Sequence, residues 1–267
     1  MATLVRRISL VVALAAAFTL PLQAFNPGAH IYIATRALQT DNPYVWYGSV
    51  APDLAWYSSE PELLGNLHTN LDLRLYPITD PVLEAFAQGW AAHGEITGAD
   101  RMAHWEWDHA REGYIIERAR LLTRIPAGRM REELGHKAIE AAIDLLLKRQ
   151  DPAIGQRVAA AAVAAQTQAV SQFLAGTFVA NGVDPMAGLT GKGTLDYVLL
   201  HYAGALNLPA PYDLEALATL GVQEAAMAGY EGLTVDDIKA ILKQAMSVCP
   251  DYMRVINEAI RQVKENQ

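Results

Sequence analysis

The stretch LGHKAIEAAIDLLL (residues 134–147) has the period of a helix and carries a carboxylate on the face that should be greasy. With His136 at zero, Glu140 falls at about 40°, Leu147 at about 20°, Ile143 at about 340° and Ile139 at about 300°. His136 and Glu140 therefore share the aliphatic stripe that must face a core, one turn apart. A carboxylate buried without a partner is strongly unfavourable. Something elsewhere in the chain, or bound to it, must compensate Glu140.

The same period recurs on both sides of this stretch, while alternating Val/Ile/Thr runs bounded by turns are absent, so the expected fold is all-α. Asn26-Pro27 starts a helix over GAHIYIATRAL, with Asn as N-cap and Pro in the first position. YGSVAPDLAWY (47–57) reads as a loop entering a short helix, and PVLEAFAQGWAAHGEITGADRMAH (81–104) as one long helix with glycines at 89, 94 and 98. EGYIIERARLLTRI (112–125) and REELGHKAIEAAIDLLLKRQ (131–150) follow, the latter stopped by Asp151-Pro152. GQRVAAAAVAAQTQAVSQFLAGTFVA (155–180) reads as Ala-rich helix, and residues 213–229 and 234–264 as two more. GLTGKG (188–193) lacks both a GKS/T ending and a preceding strand, so it is expected to be loop and not a phosphate cradle.

The chain has 267 residues, 52% hydrophobic and 19% charged, enough for one sizeable core or at most two small ones. Its net charge is −8. Such an acidic chain is a poor partner for nucleic acid or an anionic membrane as a whole, though a small metal-charged pocket could still take a phosphate. The first 24 residues, MATLVRRISLVVALAAAFTLPLQA, read as a secretory signal: Arg6 and Arg7, an apolar run from Ile8 to Leu20, and a Leu22-Gln23-Ala24 cleavage box. The alternative is an uncleaved anchor, for which the apolar run is short. Cleavage would expose a mature chain in the periplasm or outside the cell. Cys249 stands alone, so no internal disulfide forms, and it reads as a small buried hydrophobe.

Six of the seven histidines, His30, His68, His93, His104, His109 and His136, lie between residues 30 and 136. On the 81–104 helix, with His93 at zero, Asp100 falls at about −20° and His104 at about 20°, alongside Val82 and Phe86. His30 sits on an apolar side of its own helix. Taken singly, each has a plainer reading: an HxxxE pair as a satisfied core pair, His30 as core, Asp53 after Ala-Pro as a turn residue. Taken together they line several helix faces with neutral imidazoles and carboxylates, which are good zinc ligands, and a divalent cation makes such a buried acidic cluster tolerable. A bound metal is therefore the expected partner of Glu140.

The ordered series FNPGAH (25–30), APD (51–53), LHTN (67–70), FAQGWAAHGEITGADRMAH (86–104) and GHKAIE (135–140) resembles the zinc-dependent phospholipase C family, whose fold is shared with single-strand-specific zinc nucleases. The likeness covers roughly residues 25–148. It implies a metal-binding catalytic core over residues 25–150, with residues 151–267 a helical remainder packed on the same domain. It implies up to three zinc ions. One would take the free α-amino group and carbonyl of the mature first residue, here Phe25, together with His30. A second would take His68 and His93, with Asp53 as ligand or base, and Asp100 would bridge. The third would take His104, His136 and Glu140, with His109 as the alternative to His104.

One departure stands out. The family places its bridging Asp four residues after the His, whereas position 97 here is Thr and the Asp comes at i+7. On a continuous helix both spacings return to one face, and Glu95, about 200° from His93, faces away unless Gly94 or Gly98 distorts the helix. His201 reads as structural.

The resemblance implies phosphodiester hydrolysis by a zinc-activated water that Asp53 orients or deprotonates, with the third zinc facing the phosphoryl oxygen and leaving group. Phospholipid or another phosphodiester is the expected substrate, with transient contact to a membrane surface and no stable nucleic-acid binding. Trp46, Trp56, Tyr57, Trp90, Trp105 and Trp107 could contact acyl chains, stack on bases, or fill core. Two other classes stay open: a single-strand nuclease-like phosphodiesterase, and a non-catalytic zinc-stabilised helical binding domain.

Overall fold

The computed structural model of the chain describes residues 26–58, 67–68, 73, 78–105 and 112–267. Among these residues there is no strand, and the fold is all-α. The helices in chain order are α1 (Pro27–Leu38), α2 (Pro43–Gly48), a 3-10 helix (Ala51–Tyr57), α3 (Pro81–His93), α4 (Asp100–His104), α5 (Tyr114–Ala119), α6 (Arg129–Gln150), α7 (Ile154–Ala164), α8 (Gln168–Ala180), α9 (Pro185–Asn207), α10 (Tyr212–Met227), α11 (Val235–Val248) and α12 (Tyr252–Glu265).

Four helices begin with Asn or Asp followed by Pro: α1, α2, α3 and α9. In α2, α3 and α9 the acidic or amide side chain (Asn42, Asp80, Asp184) accepts from the backbone N–H two residues on, while Pro fills a position that needs no donor. At α1 the expected cap fails. Asn26 occupies the N-cap position but its side chain accepts nothing from the helix.

Helix α1 is buried on nearly every side, from Pro27 through Ala34. It packs against α2, α3, α6, α7 and α12. Helices α2 and α3 meet backbone to backbone. A Cβ on Gly48 would stand 2.1 Å from the Phe86 carbonyl oxygen, and one on Gly89 would stand 2.1 Å from that of Val45. Only this reciprocal glycine pair lets the two helices approach so closely, and the approach brings Ser49 to the end of α3. The C-terminal helices α9, α10 and α11 pack on the 3-10 helix and on α6. One contiguous apolar core runs from Ala29 to Val263.

Several sequence expectations are corrected. The 81–104 segment is two helices, α3 and α4, because Gly94 leaves the helical region with ψ at 153°. Residues 94–98 form a bulge, and Ala99 N returns to the Ala92 carbonyl at 2.9 Å. Gly98 allows the closure, since a Cβ there would lie 2.4 Å from Gly94 N. In 112–125 only α5 is helical; turns follow to Gly128. The 155–180 segment breaks into α7 and α8, which meet at 70°. Thr167 adopts an extended conformation and its hydroxyl donates back to the Ala164 carbonyl at 3.1 Å, which competes with continued helix. GLTGKG is not a loop but the second turn of α9, where Gly188 packs against the Phe178 ring. Pro250 splits 234–264 into α11 and α12. No single helix among the described residues is long and apolar enough to cross a membrane.

Candidate metal centre

The donors arrive from five helices and one residue between them. The first turn of α1 carries His30, the 3-10 helix Asp53, the last residue of α3 His93, the first and last residues of α4 Asp100 and His104, and α6 His136 and Glu140; His68 stands between the 3-10 helix and α3. Apart from His104, which is partly buried, none of these is more than 4% exposed.

Asp100 is the hub. Its Oδ1 lies 3.3 Å from His30 Nε2, and its Oδ2 lies 3.1 Å from His93 Nε2 and 4.0 Å from His68 Nε2. Asp53 Oδ1 closes the second side at 3.5 Å from His68 Nε2 and 3.8 Å from His93 Nε2. Two candidate ligand groups result, His30–His93–Asp100 and Asp53–His68–His93. On the far side His136 Nε2 lies 2.8 Å from Glu140 Oε1 and 3.4 Å from His104 Nε2. His104 Nδ1 in turn faces Glu95 Oε1 at 3.7 Å, and Glu95, Asp100 and His104 form a third candidate group.

The two rings of His104 and His136 are within hydrogen-bond reach of each other, but the carboxylates are not so completed. Both oxygens of Asp100 and both of Glu140 are buried and complete no hydrogen bond among the described residues. Carboxylate oxygens that sit among imidazole nitrogens without completing a hydrogen bond suit a shared cation between them. A tetrahedral cation at about 2.1 Å from each ligand would hold its donors roughly 3.4 Å apart, and the contacts above, from 2.8 to 4.0 Å, scatter around that spacing. The donor set therefore fits a divalent metal ion, with hard and borderline ligands and no thiolate.

Second contacts orient the ligands. His93 Nδ1 donates to the Ser49 carbonyl oxygen at 2.8 Å, which leaves Nε2 to face the cluster. Trp56 Nε1 donates to Asp53 Oδ1 at 3.1 Å. The His30 and His93 rings stack with centroids 4.2 Å apart.

The electrostatics express the crowding. Burial alone would depress His93, but Asp100 and Asp53 outweigh it and push it up to about 9. Burial and then the charge of His93 pull His30 down to about 4. Burial favours the neutral acid at Asp100, yet His93 and His30 hold it well below the usual carboxylate range. Asp53 is lowered in the same way, burial opposing and His93 prevailing. Burial lowers His136 despite Glu140.

The structure thus brings His30, Asp53, His68, His93, Asp100, His104, His136 and Glu140 into one connected cluster. The reason differs from the helical one. Asp100 reaches His93 because the 94–98 bulge returns the chain over the end of α3, not because of helical periodicity. The same break at Gly94 is the distortion under which Glu95 could join the donors, and it brings Glu95 to His104; His104 first, against the cost of burial, holds its carboxyl below the usual range. His201 is exposed and lies tilted against Tyr197, with ring centroids 4.0 Å apart, away from the cluster. Trp46 bonds to Thr35, and Trp90 is core. Cys249 is buried, and burial pushes its thiol up to about 12. Phe25, Trp107 and His109 lie outside the described residues, as do residues 1–24.

Sequence reasoning missed the Ser49 carbonyl and Asp144, and admitted Glu95 only if the helix broke at Gly94 or Gly98. Asp144 had a signal, since it extends the His136–Glu140 stripe by a further turn. Comparison with protein-family models, with curated proteins and with solved structures finds no match.

Proposed function

We propose that this chain is an exported zinc-dependent phosphodiester hydrolase of the phospholipase C type. The observation that carries the reading is Asp100: a buried carboxylate with one oxygen toward His30 and the other toward His93 and His68, hydrogen-bonded at neither. A carboxylate in that position suits a bridge between two cations. His136, Glu140 and His104 suit a third.

Bound cations would lower the pKa of a shared water and offset charge on the phosphoryl oxygens. The protein's own groups do the rest. Asp53 Oδ1 accepts from Trp56 and faces His68 and His93, so its second oxygen would orient the water and take its proton. Ser49 keeps His93 in the tautomer that offers Nε2. The wall beside Asp53 is mostly aliphatic, with Leu134, Ala138, Leu195, Leu217 and Ile238 in it. That lining favours a substrate with an aliphatic group over one with a nucleobase, and supports phospholipid.

The test is metal content and turnover on one sample of purified chain, with its N-terminus sequenced. The expected result is close to three zinc ions per chain, a Phe25 start, and hydrolysis of a short-chain phosphatidylcholine. Asp100→Asn should lose two of the three ions and the activity together. A fully processed chain without zinc would overturn the metal reading. Full zinc with no hydrolysis would leave a zinc-stabilised binding domain, and cleavage of a single-stranded oligonucleotide alone would make it nuclease-like.

A further inference from the structure

The helix that carries His136 and Glu140 carries a third buried acid. Asp144 stands one more turn along α6, at about 80° from His136, and has no exposed surface. Its carboxylate accepts from two backbone N–H groups of another element, Gly28 N at 2.8 Å and Ala29 N at 2.7 Å. These belong to the first turn of α1, whose amides no helix can satisfy from within. The Asn26 side chain, placed to cap them, does not, although the backbone carbonyl oxygen of Asn26 shares the Ala29 N–H at 3.1 Å. Its Nδ2 instead donates to the Tyr202 hydroxyl of α9 at 3.0 Å, and that hydroxyl hydrogen-bonds to Asp144. The bonds form a closed ring through α1, α6 and α9. Gly28 makes room for it, since a Cβ there would stand 2.5 Å from Asp144 Oδ2.

A cap supplied from 115 residues away does something a local cap cannot. It fixes the height and rotation of α1 on α6. His30 is the next residue after Ala29, and its Nε2 faces Asp100 Oδ1 at 3.3 Å. We propose that Asp144 is a positioning residue of the metal centre, gripping the first turn of α1 from α6 so that one rigid helix sets both the His136–Glu140 pair and His30. A cap from Asn26 would have served the helix as well but left α1 without this register. The proposal rests on the metal reading of the cluster.

Two readouts on the full chain test it: zinc per chain, and the His30 ring ¹H–¹⁵N resonances of the metal-free protein. Asp144→Asn keeps the volume but turns an amide donor toward one of the two N–H groups. The expected result is one zinc fewer than wild type, or one bound about 10–100-fold more weakly. The His30 resonances should shift while the circular dichroism stays helical. Gly28→Ala, which forces Asp144 away, should give the same pattern, and with Tyr202→Phe it carries the test if Asp144→Asn does not fold. A variant with only a lower melting temperature, and with wild-type zinc binding and His30 resonances, would reduce Asp144 to a helix cap and overturn the proposal. A wild-type chain without zinc would overturn the metal reading instead, and the His30 resonances would then decide the positioning role alone.

Discussion

Charges are buried in both halves of this protein, but they are balanced differently. Beyond residue 150 the buried charges find partners in the chain itself: Lys192 Nζ meets Asp196 Oδ2 at 2.6 Å, and Asp213 meets Lys148 at 2.7 Å. Between residues 26 and 148, the carboxylates of Asp100 and Glu140 are surrounded by imidazoles that align with neither. An ion pair is a finished arrangement, because each charge is the other's solvent. A converging set of carboxylates and imidazoles whose donors and acceptors do not align is unfinished, and a cation at its focus would complete it. The two halves share one apolar core, so the difference lies in the polar groups and not in the packing.

Removing the metal should break this comparison most severely. Each ion held at a thousandfold excess over its dissociation constant stabilises the native state by about 4 kcal/mol. Chelation is therefore expected to lower the melting temperature sharply and to open the amides of α1, α3 and α4 to hydrogen exchange before those of α7 and α9. Equal loss of protection in both halves would mean that the centre is not the weak point.

The next largest effect lies in the other half. Lys192→Met leaves Asp196 buried without its cation and should cost about 3–5 kcal/mol in urea denaturation, with zinc content unchanged. The double change Lys192→Met with Asp196→Leu should recover most of that loss. If the single change were harmless, the claim that this half balances its own charges would fall.

A smaller effect depends on pH. Burial, opposed by the Gly28, Tyr202 and Ala29 donors, pushes the Asp144 carboxyl up to about 7. A carboxyl raised on folding contributes stability that is fully present below the ordinary carboxylate range and is lost as pH climbs through its folded value. The metal-free chain should accordingly lose stability from this group between about pH 4 and 7, at no more than about 1.4 kcal/mol per pH unit. Denaturation curves for wild type and Asp144→Asn across that window should differ in slope and run parallel above it.

The smallest effect is a local control. Thr234 and Asp237 form a reciprocal capping box at the start of α11. Thr234→Ala should cost about 1 kcal/mol and leave zinc content untouched.

Much of this was legible in the chain. The period of 134–147 shows that His136 and Glu140 face the core, and both are buried there. The Asn-Pro and Asp-Pro pairs mark helix starts. The donors crowd into residues 30–140, and the structure gathers them. Other readings failed for identifiable reasons. The 81–104 segment keeps a helical pattern through Gly94, and the pattern alone does not reveal that the backbone leaves the helix there. GLTGKG looks like a loop because its glycines are read as flexibility, whereas in α9 Gly188 makes room for the Phe178 ring. Pro250 was a visible stop that the apolar period overrode.

The sequence by itself determined which residues turn inward and what chemistry they bring, because helical period is a local property and burial of an amphipathic face follows from it. Only the tertiary structure decided which of those residues meet. Asp100 reaches His93 through a bulge, Glu95 turns toward His104, and Asp144 caps a helix 115 residues away in place of Asn26. A helix period names the face that is buried and says nothing of the face it is buried against, and that second surface is set by the packing of the whole chain.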